Sequence, residues 1–343
     1  MTEEKLVYVE REKLRQLFKD KLMRAGLPEH HADKTADLMI FADERGVHSH
    51  GAVRMQYYAE RIAKQGYNLN PSLSFDQTGP SVGTYFGDNA VGHYVAYEAM
   101  EHAIALAETH GLGVVGVKEM GHSGAIGYFT NQAAERGMVA LTVCQSDPMV
   151  VPFGGTEPYF GTNPIAFAAP RANGKPIIFD MATTVQAWGK ILDARSKNKS
   201  IPNTWAVDEQ GEPTTDPFAV RALLPAAGPK GYGLMMMVDI LAGSLLGLPF
   251  GKHVSSMYKD LSEYRRLGQL HVVINPAFFG DQDAFLEQIS QMVEELHAIP
   301  AAQGFDQVYY PGEIQEAMVE QYKETGIPVA ASIYEYLLSE AIY

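Results

Sequence analysis

The residues best suited to chemistry cluster in short turns between apolar runs. In Gly113-Val-Val-Gly-Val-Lys-Glu-Met-Gly-His122-Ser-Gly-Ala-Ile-Gly-Tyr128, a histidine stands where a buried strand gives way to a helix. Ligands of α/β sheets bind outside the carboxyl ends of strands, so His122 reads as a general acid/base. The flanking Gly121 and Gly124 predict little bulk around the imidazole and close approach by a substrate. A second group is His48-Ser49-His50-Gly51-Ala-Val-Arg54, on a turn entering a helix. The forked guanidinium of Arg54 suits a substrate carboxylate, and from the first helical turn it can reach back toward His50. The same pattern also describes a polar helix cap with a surface arginine. The two histidines around a serine raise a metal site too, although no cysteine or acidic ligand stands at motif spacing.

Three further groups follow the same logic. Ser146 and Asp147 come directly after a strand, ahead of the pair Gly154-Gly155 that admits close backbone approach. Asp180 ends an apolar strand, and Thr183 and Thr184 can cap the next helix. Lys230 lies in a glycine-rich turn that opens a helix, a place for a phosphate, but without Walker spacing. A Pro/Gly loop and an N-cap are the plain alternatives for the first two.

The elements that must position these residues can be read from periodicity. Leu14, Leu17, Phe18 and Leu22 mark a first helix stopping near Gly26. A second runs from about 29 to 44, and a third from about 53 to 64. A strand near 81–86 precedes a helix from about 89 to 109, with Val91, Val95, Ala99, Ala103 and Leu106 on its buried face. The strand of the His122 turn leads to a helix ending near Arg136. Strands follow at 138–144, 165–169, 176–181 and 269–274. Helices are expected at 185–197, 230–247, 285–299 and 333–342. The alternation predicts α/β layering around a mixed sheet with flanking helices.

Gly111-Leu-Gly113-Val-Val-Gly116 matches G-x-G-x-x-G but in the wrong context. A dinucleotide fingerprint follows a strand and opens a helix, whereas here a helix ends and a strand begins. Gly111 is therefore expected to cap the helix and Gly116 to serve strand packing.

Composition narrows the class. The 343 residues are 46% hydrophobic and 20% charged, with a net charge of −14. No basic stripe marks a nucleic-acid binder. The single cysteine, Cys144, excludes an intramolecular disulfide framework and a multi-cysteine zinc site. The N-terminus has no signal-peptide core, and Asp239 and Pro249 interrupt and end the longest apolar run. A cytoplasmic protein with no membrane span is expected.

Taken in order, Ser-His-Gly-Ala-Val-Arg54, Met-Gly-His122-Ser-Gly-Ala, Gly161-Thr-Asn-Pro, Asp180-Met-Ala-Thr-Thr and Pro229-Lys-Gly-Tyr-Gly-Leu resemble the malate/L-lactate (sulfolactate) dehydrogenase family over nearly the whole chain. The resemblance implies a non-Rossmann dinucleotide-binding fold. It also implies a helical part (1–75) packed with C-terminal helices (300–343), and an α/β domain (76–299) that binds cofactor and substrate. Within the family, Cys144 to Gly155, Thr183 to Lys190, Ser200 to Val207, Leu223 to Lys230 and Val308 to Glu313 resemble the branch that oxidises (S)-ureidoglycolate to oxalurate with NAD in allantoin catabolism. Carried over by position, His122 is the acid/base, while Ser49, His50 and Arg54 hold a 2-hydroxy acid. Ser146, Asp180, Met181, Ala182, Lys230, Pro311, Gly312 and Glu313 contact NAD, and no metal is implied. A homodimer with its active site near the subunit boundary is expected. Many relatives carry a basic residue before Pro-Gly-Glu; Tyr309-Tyr310 here favours NAD over NADP, whose 2′-phosphate wants a cation. Malate, lactate, sulfolactate or a cyclic imine are alternative substrates on the same scaffold. A histidine-based metal hydrolase (His48, His50, His122) and a non-catalytic binding protein are the alternatives from other classes.

Overall fold

A computed structural model describes residues 5–343. The chain opens with β1 (Leu6–Val9), α1 (Arg11–Arg24), α2 (Glu29–Glu44) and α3 (Met55–Ala63). Glu10 caps α1 by accepting from the amides of Glu12 and Lys13, while Leu14, Phe18 and Leu22 bury one face completely. Next come β2 (Ser74–Gly79), β3 (Val82–Phe86), α4 (Gly92–His110), β4 (Leu112–Met120) and α5 (Gly127–Ala134). They are followed by β5 (Val139–Cys144), β6 (Ile165–Ala169), β7 (Ile177–Met181), α6 (Trp188–Ser196), β8 (Ala206–Val207) and β9 (Ala222–Leu223). The chain ends with α7 (Pro229–Ala242), β10 (Leu267–Ile274), α8 (Gln282–Ala298), α9 (Glu313–Thr325), β11 (Ile327–Ala330) and α10 (Ala331–Leu338).

The central sheet has seven strands in the order β2-β3-β4-β10-β5-β6-β7. Only β3 and β4 run parallel; every other neighbouring pair is antiparallel. That is the expected mixed sheet, and it lacks the parallel core of a Rossmann fold. Side chains alternate between its faces. Val115, Val117, Ala140, Ala166 and Val273 pack with α4 and α5, whereas Leu141, Val143, Leu270 and Val272 pack with α7.

The three decoy glycines each have a packing reason. Gly111 caps α4 with a left-handed φ of 80°. A Cβ on Gly113 would meet the Ala103 carbonyl oxygen at 1.9 Å, so its absence lets α4 lie against β4. A Cβ on Gly116 would meet Leu246 at 2.4 Å.

The two ends of the chain share one core. β1 pairs antiparallel with β11, and Ile327, Val329 and Leu337 pack with Leu14, Phe18, Met39 and Tyr58. Lys21, almost fully buried, donates Nζ to the carbonyls of Ser339 and Ala341 at 2.8 Å each.

Several boundaries differ from the sequence expectation. α4 begins at Gly92 because Asp88 and Asn89 take positive φ (44° and 59°), which a right-handed helix excludes. α7 stops at Ala242, and the chain turns at Gly243 before a short 3-10 turn over Ser244–Leu246. The helix from 313 to 325 falls within the C-terminal helical part without bounds of its own in the sequence reading, and the strands β1, β2, β8, β9 and β11 have no counterpart there. No helix among the described residues is long and apolar enough to cross a membrane.

Candidate active site

β4 ends at Met120 beside β10, and α5 begins at Gly127. His122 lies in the turn between them. A cavity of about 250 Å³ opens there, walled by Ser49, His50, Arg54, His122, Ser146 and Asp180, with Met181, Ala182, Trp188, Met257 and Tyr258 completing it. Residues from Val47 to Tyr258 thus face one space.

The glycines around His122 also have a packing role. A Cβ on Gly121 would meet the Tyr67 ring at 2.3 Å, and one on Gly124 would meet Leu38 at 2.5 Å and His93 Nε2 at 2.9 Å. Their role is to seat the turn on the N-terminal helices and α4. Gly124 also lines the cavity beside His122.

His122 is half-buried. Its Nδ1 hydrogen-bonds the hydroxyl of Tyr58 at 2.8 Å, and Nε2 has no partner among the described residues. His50 stacks on it, with centroids 5.7 Å apart and planes 12° from parallel. Burial, reinforced by the nearby His50 and Arg54, holds the pKa of His122 well below the ordinary histidine value. Burial and Arg54 likewise lower His50 to about 4. Both rings are therefore neutral at neutral pH, and His122 is free to accept a proton.

Arg54 is aimed by two contacts. Its Nε donates to the Ser49 carbonyl at 2.8 Å and its Nη1 to the Tyr258 hydroxyl at 3.1 Å. It does not bond His50, whose Nδ1 pairs with Ser49 Oγ at 3.0 Å. Nη2 of Arg54 has no partner among the described residues, leaving donor capacity for a carboxylate.

Asp147 fastens the opposite wall. It accepts from the Met257 amide at 2.9 Å and from the buried Arg265 at 3.3 Å, so the segment carrying Met257 and Tyr258 is held over the cavity. Ser146 Oγ is tied to Thr162 Oγ1 and to the Asn163 amide, both at 3.1 Å.

A second cavity of about 400 Å³ adjoins the first through shared walls at Val47, Ala125 and Asp180. Its far side is formed by Tyr309, Tyr310, Pro311, Gly312 and Gln315. Asp180 stands at the junction and accepts from the Gly127 amide at the start of α5, at 2.8 Å. Although Asp180 is exposed along the cleft, desolvation by the surrounding protein raises its pKa to about 6. The two cavities thus adjoin at Asp180 as parts of one cleft.

Two of the expected contacts lie elsewhere. Glu313 turns away from the cleft: it accepts from the Tyr310 amide at 3.1 Å and pairs with His297 at 2.8 Å, closing its own loop. Lys230 is exposed near the start of α7 and lines neither cavity in this chain. The structure also adds Tyr58 and Tyr258. Tyr58 follows Arg54 by four residues, a same-face helical spacing that could have been read from sequence. Tyr258 sits in an irregular segment with no such signal.

The metal alternative finds no ligand set. His48 pairs with Asp43 at 2.9 Å, and among the described residues no three His, Cys, Asp or Glu side chains converge.

The chain matches the malate/L-lactate dehydrogenase family over residues 9–338. It is 58% identical over 335 residues to the ureidoglycolate dehydrogenase (NAD(+)) of Escherichia coli O157:H7, covering 98% of this chain and 96% of that one. Identity to the malate dehydrogenase of Pyrococcus horikoshii is 38% over 326 residues, with 92% and 89% covered. The solved sulfolactate dehydrogenase of Methanocaldococcus jannaschii superposes with a TM-score of 0.89 at 34% identity, over 96% of this chain and 95% of that one. A mixed sheet without a Rossmann phosphate loop, a half-buried histidine and an arginine lining one cavity, and likeness along the full length agree: this chain belongs to the malate/L-lactate dehydrogenase family.

Proposed function

We propose that this protein oxidises (S)-ureidoglycolate to oxalurate with NAD, in allantoin catabolism. The observation carrying the substrate is the high identity, over almost the whole chain, to an enzyme named for that reaction. The geometry supplies the chemistry. The cleft spans two cavities that share Val47, Ala125 and Asp180, and its apolar walls Ile178, Pro311 and Ile314 suit an adenine. Ser146 and Asp180 to Ala182 lie along its inner part, beside His122. Bound there, NAD would supply the hydride acceptor at its nicotinamide ring.

The remaining steps belong to the protein. Arg54 binds the substrate carboxylate and orients the carbinol carbon. Ser49 and neutral His50 border the same end of the site. His122 Nε2 takes the hydroxyl proton as the carbon is oxidised, and the imidazolium then hydrogen-bonds the new carbonyl oxygen. In the reverse direction the same nitrogen returns the proton. The choice of NAD over NADP rests on the same relative, which is named for NAD(+).

The terminal segments 1–75 and 300–343 are read as one unit and 76–299 as the cofactor- and substrate-binding unit. A cytoplasmic homodimer completes the reading. Its support is the outer face of α7, where Leu234, Met236, Met237 and Ile240 stand exposed with the following Leu245. Such an apolar row is what a second copy of the chain would cover. Lys230 heads that helix, so pairing along it would set the lysine at the subunit boundary. Oxidation of malate, lactate or sulfolactate is the second reading, favoured by the names of more distant relatives. Formation of NADH from (S)-ureidoglycolate, measured beside those acids, tests the proposal.

A further inference from the structure

A histidine base needs its second nitrogen held, because the partner of one ring nitrogen decides whether the other carries a proton. For His122 that partner is Tyr58. The phenol sits on α3, has no solvent exposure, and meets Nδ1 at 2.8 Å. It does not line the cavity. Nε2 is left for the substrate, and it can accept a proton only if Nδ1 already carries one.

We propose that Tyr58 is a positioning residue that accepts the Nδ1–H of His122 throughout the cycle and so keeps Nε2 bare toward the substrate. This rests on the reading of His122 as the base. The same contact serves both productive states: neutral His122 before proton transfer and imidazolium after it each donate Nδ1–H to the phenol oxygen. The choice of a phenol has a consequence. A carboxylate in that place would stabilise the imidazolium and raise the basicity of the ring. Tyr58 is buried and its own pKa is raised, so it stays neutral and fixes the tautomer without adding charge.

The test uses protein labelled with 15N-histidine near neutral pH, the His122 signals being assigned by their loss in His122→Asn. The proposal expects Nδ1 protonated and Nε2 bare in the parent. It expects Tyr58→Phe to populate the opposite tautomer and to lower kcat for hydroxy-acid oxidation about tenfold or more, with KM for NAD unchanged. A parent ring protonated on Nε2 overturns the proposal, and that result needs no variant to fold. An unchanged tautomer in Tyr58→Phe, or a kcat within about twofold of the parent, also overturns it. If the parent oxidises none of the hydroxy acids, the reading of function fails, and the spectra alone still decide the tautomer.

Discussion

The imidazoles of His50 and His122 lie almost parallel, 12° apart, with centroids separated by 5.7 Å. A charge on either ring disfavours a charge on the other, and burial acts in the same direction on both. The pair therefore meets the substrate uncharged, beside a permanently charged Arg54. Recognition of the carboxylate falls to Arg54 and proton transfer to His122.

Removing the base tests that division. His122→Ala should lower kcat by about 10²–10⁴-fold, while binding of NAD, followed by quenching of Trp188 or Trp205 fluorescence, is retained. Unchanged turnover would remove His122 from the mechanism.

The acid limb of kcat/KM follows from the sign of the shifts. Protonation of His122 stops it acting as a base, and its lowered pKa delays that protonation as pH falls. The limb should lie below pH 6.5, the ordinary histidine value. Asp180, raised to about 6, is the other group that titrates nearby. A limb that persists below 6.5 in Asp180→Asn assigns it to His122; a limb at or above 6.5 in that variant contradicts the environment described for the ring.

Arg54→Lys keeps the charge and loses the fork. The ammonium cannot hold the Ser49 carbonyl, the Tyr258 hydroxyl and a carboxylate in one plane. KM for the hydroxy acid should rise about tenfold or more, with KM for NAD little changed. A KM equal to the parent's would show that the carboxylate binds elsewhere.

Acid stability has a separate source in His271, buried in the middle of β10 between Thr142 and Gln269. Burial lowers its pKa to about 3. Because the folded value lies below the unfolded one, the stabilisation is intact above about pH 6.5 and is lost as pH falls toward 3. At pH 5 the cost from this group is about 2 kcal/mol. Urea unfolding at pH 7 and pH 5 should show the parent losing about that much more than His271→Gln. Equal losses would contradict the buried neutral assignment.

The sequence made the sheet and most helices legible because their apolar periodicity is strong: α1, α4, β4, β5 and β6 each show a buried face. β1, β2 and β11 were opaque because each is short or polar and gains its identity from a partner strand; β1 and β11 lie more than 300 residues apart. α9 has no fully buried residue, so it carries no strong core stripe. His122, Arg54, Ser146 and Asp180 were legible as polar residues at strand ends and turns. Their convergence was not, since nothing local shows that residues 49, 122 and 258 share a wall. Gly121 and Gly124 illustrate the limit: their small size is also required by Tyr67, Leu38 and His93, packing that nothing in the local sequence announces.

The substrate assignment is the central claim, and a kinetic comparison tests it most directly. Purified protein supplied with NAD should form NADH from (S)-ureidoglycolate with a kcat/KM at least about tenfold above that for malate, lactate or sulfolactate, a margin of about 1.4 kcal/mol in transition-state binding. A higher kcat/KM for any of those acids, or no NADH from ureidoglycolate, would contradict it.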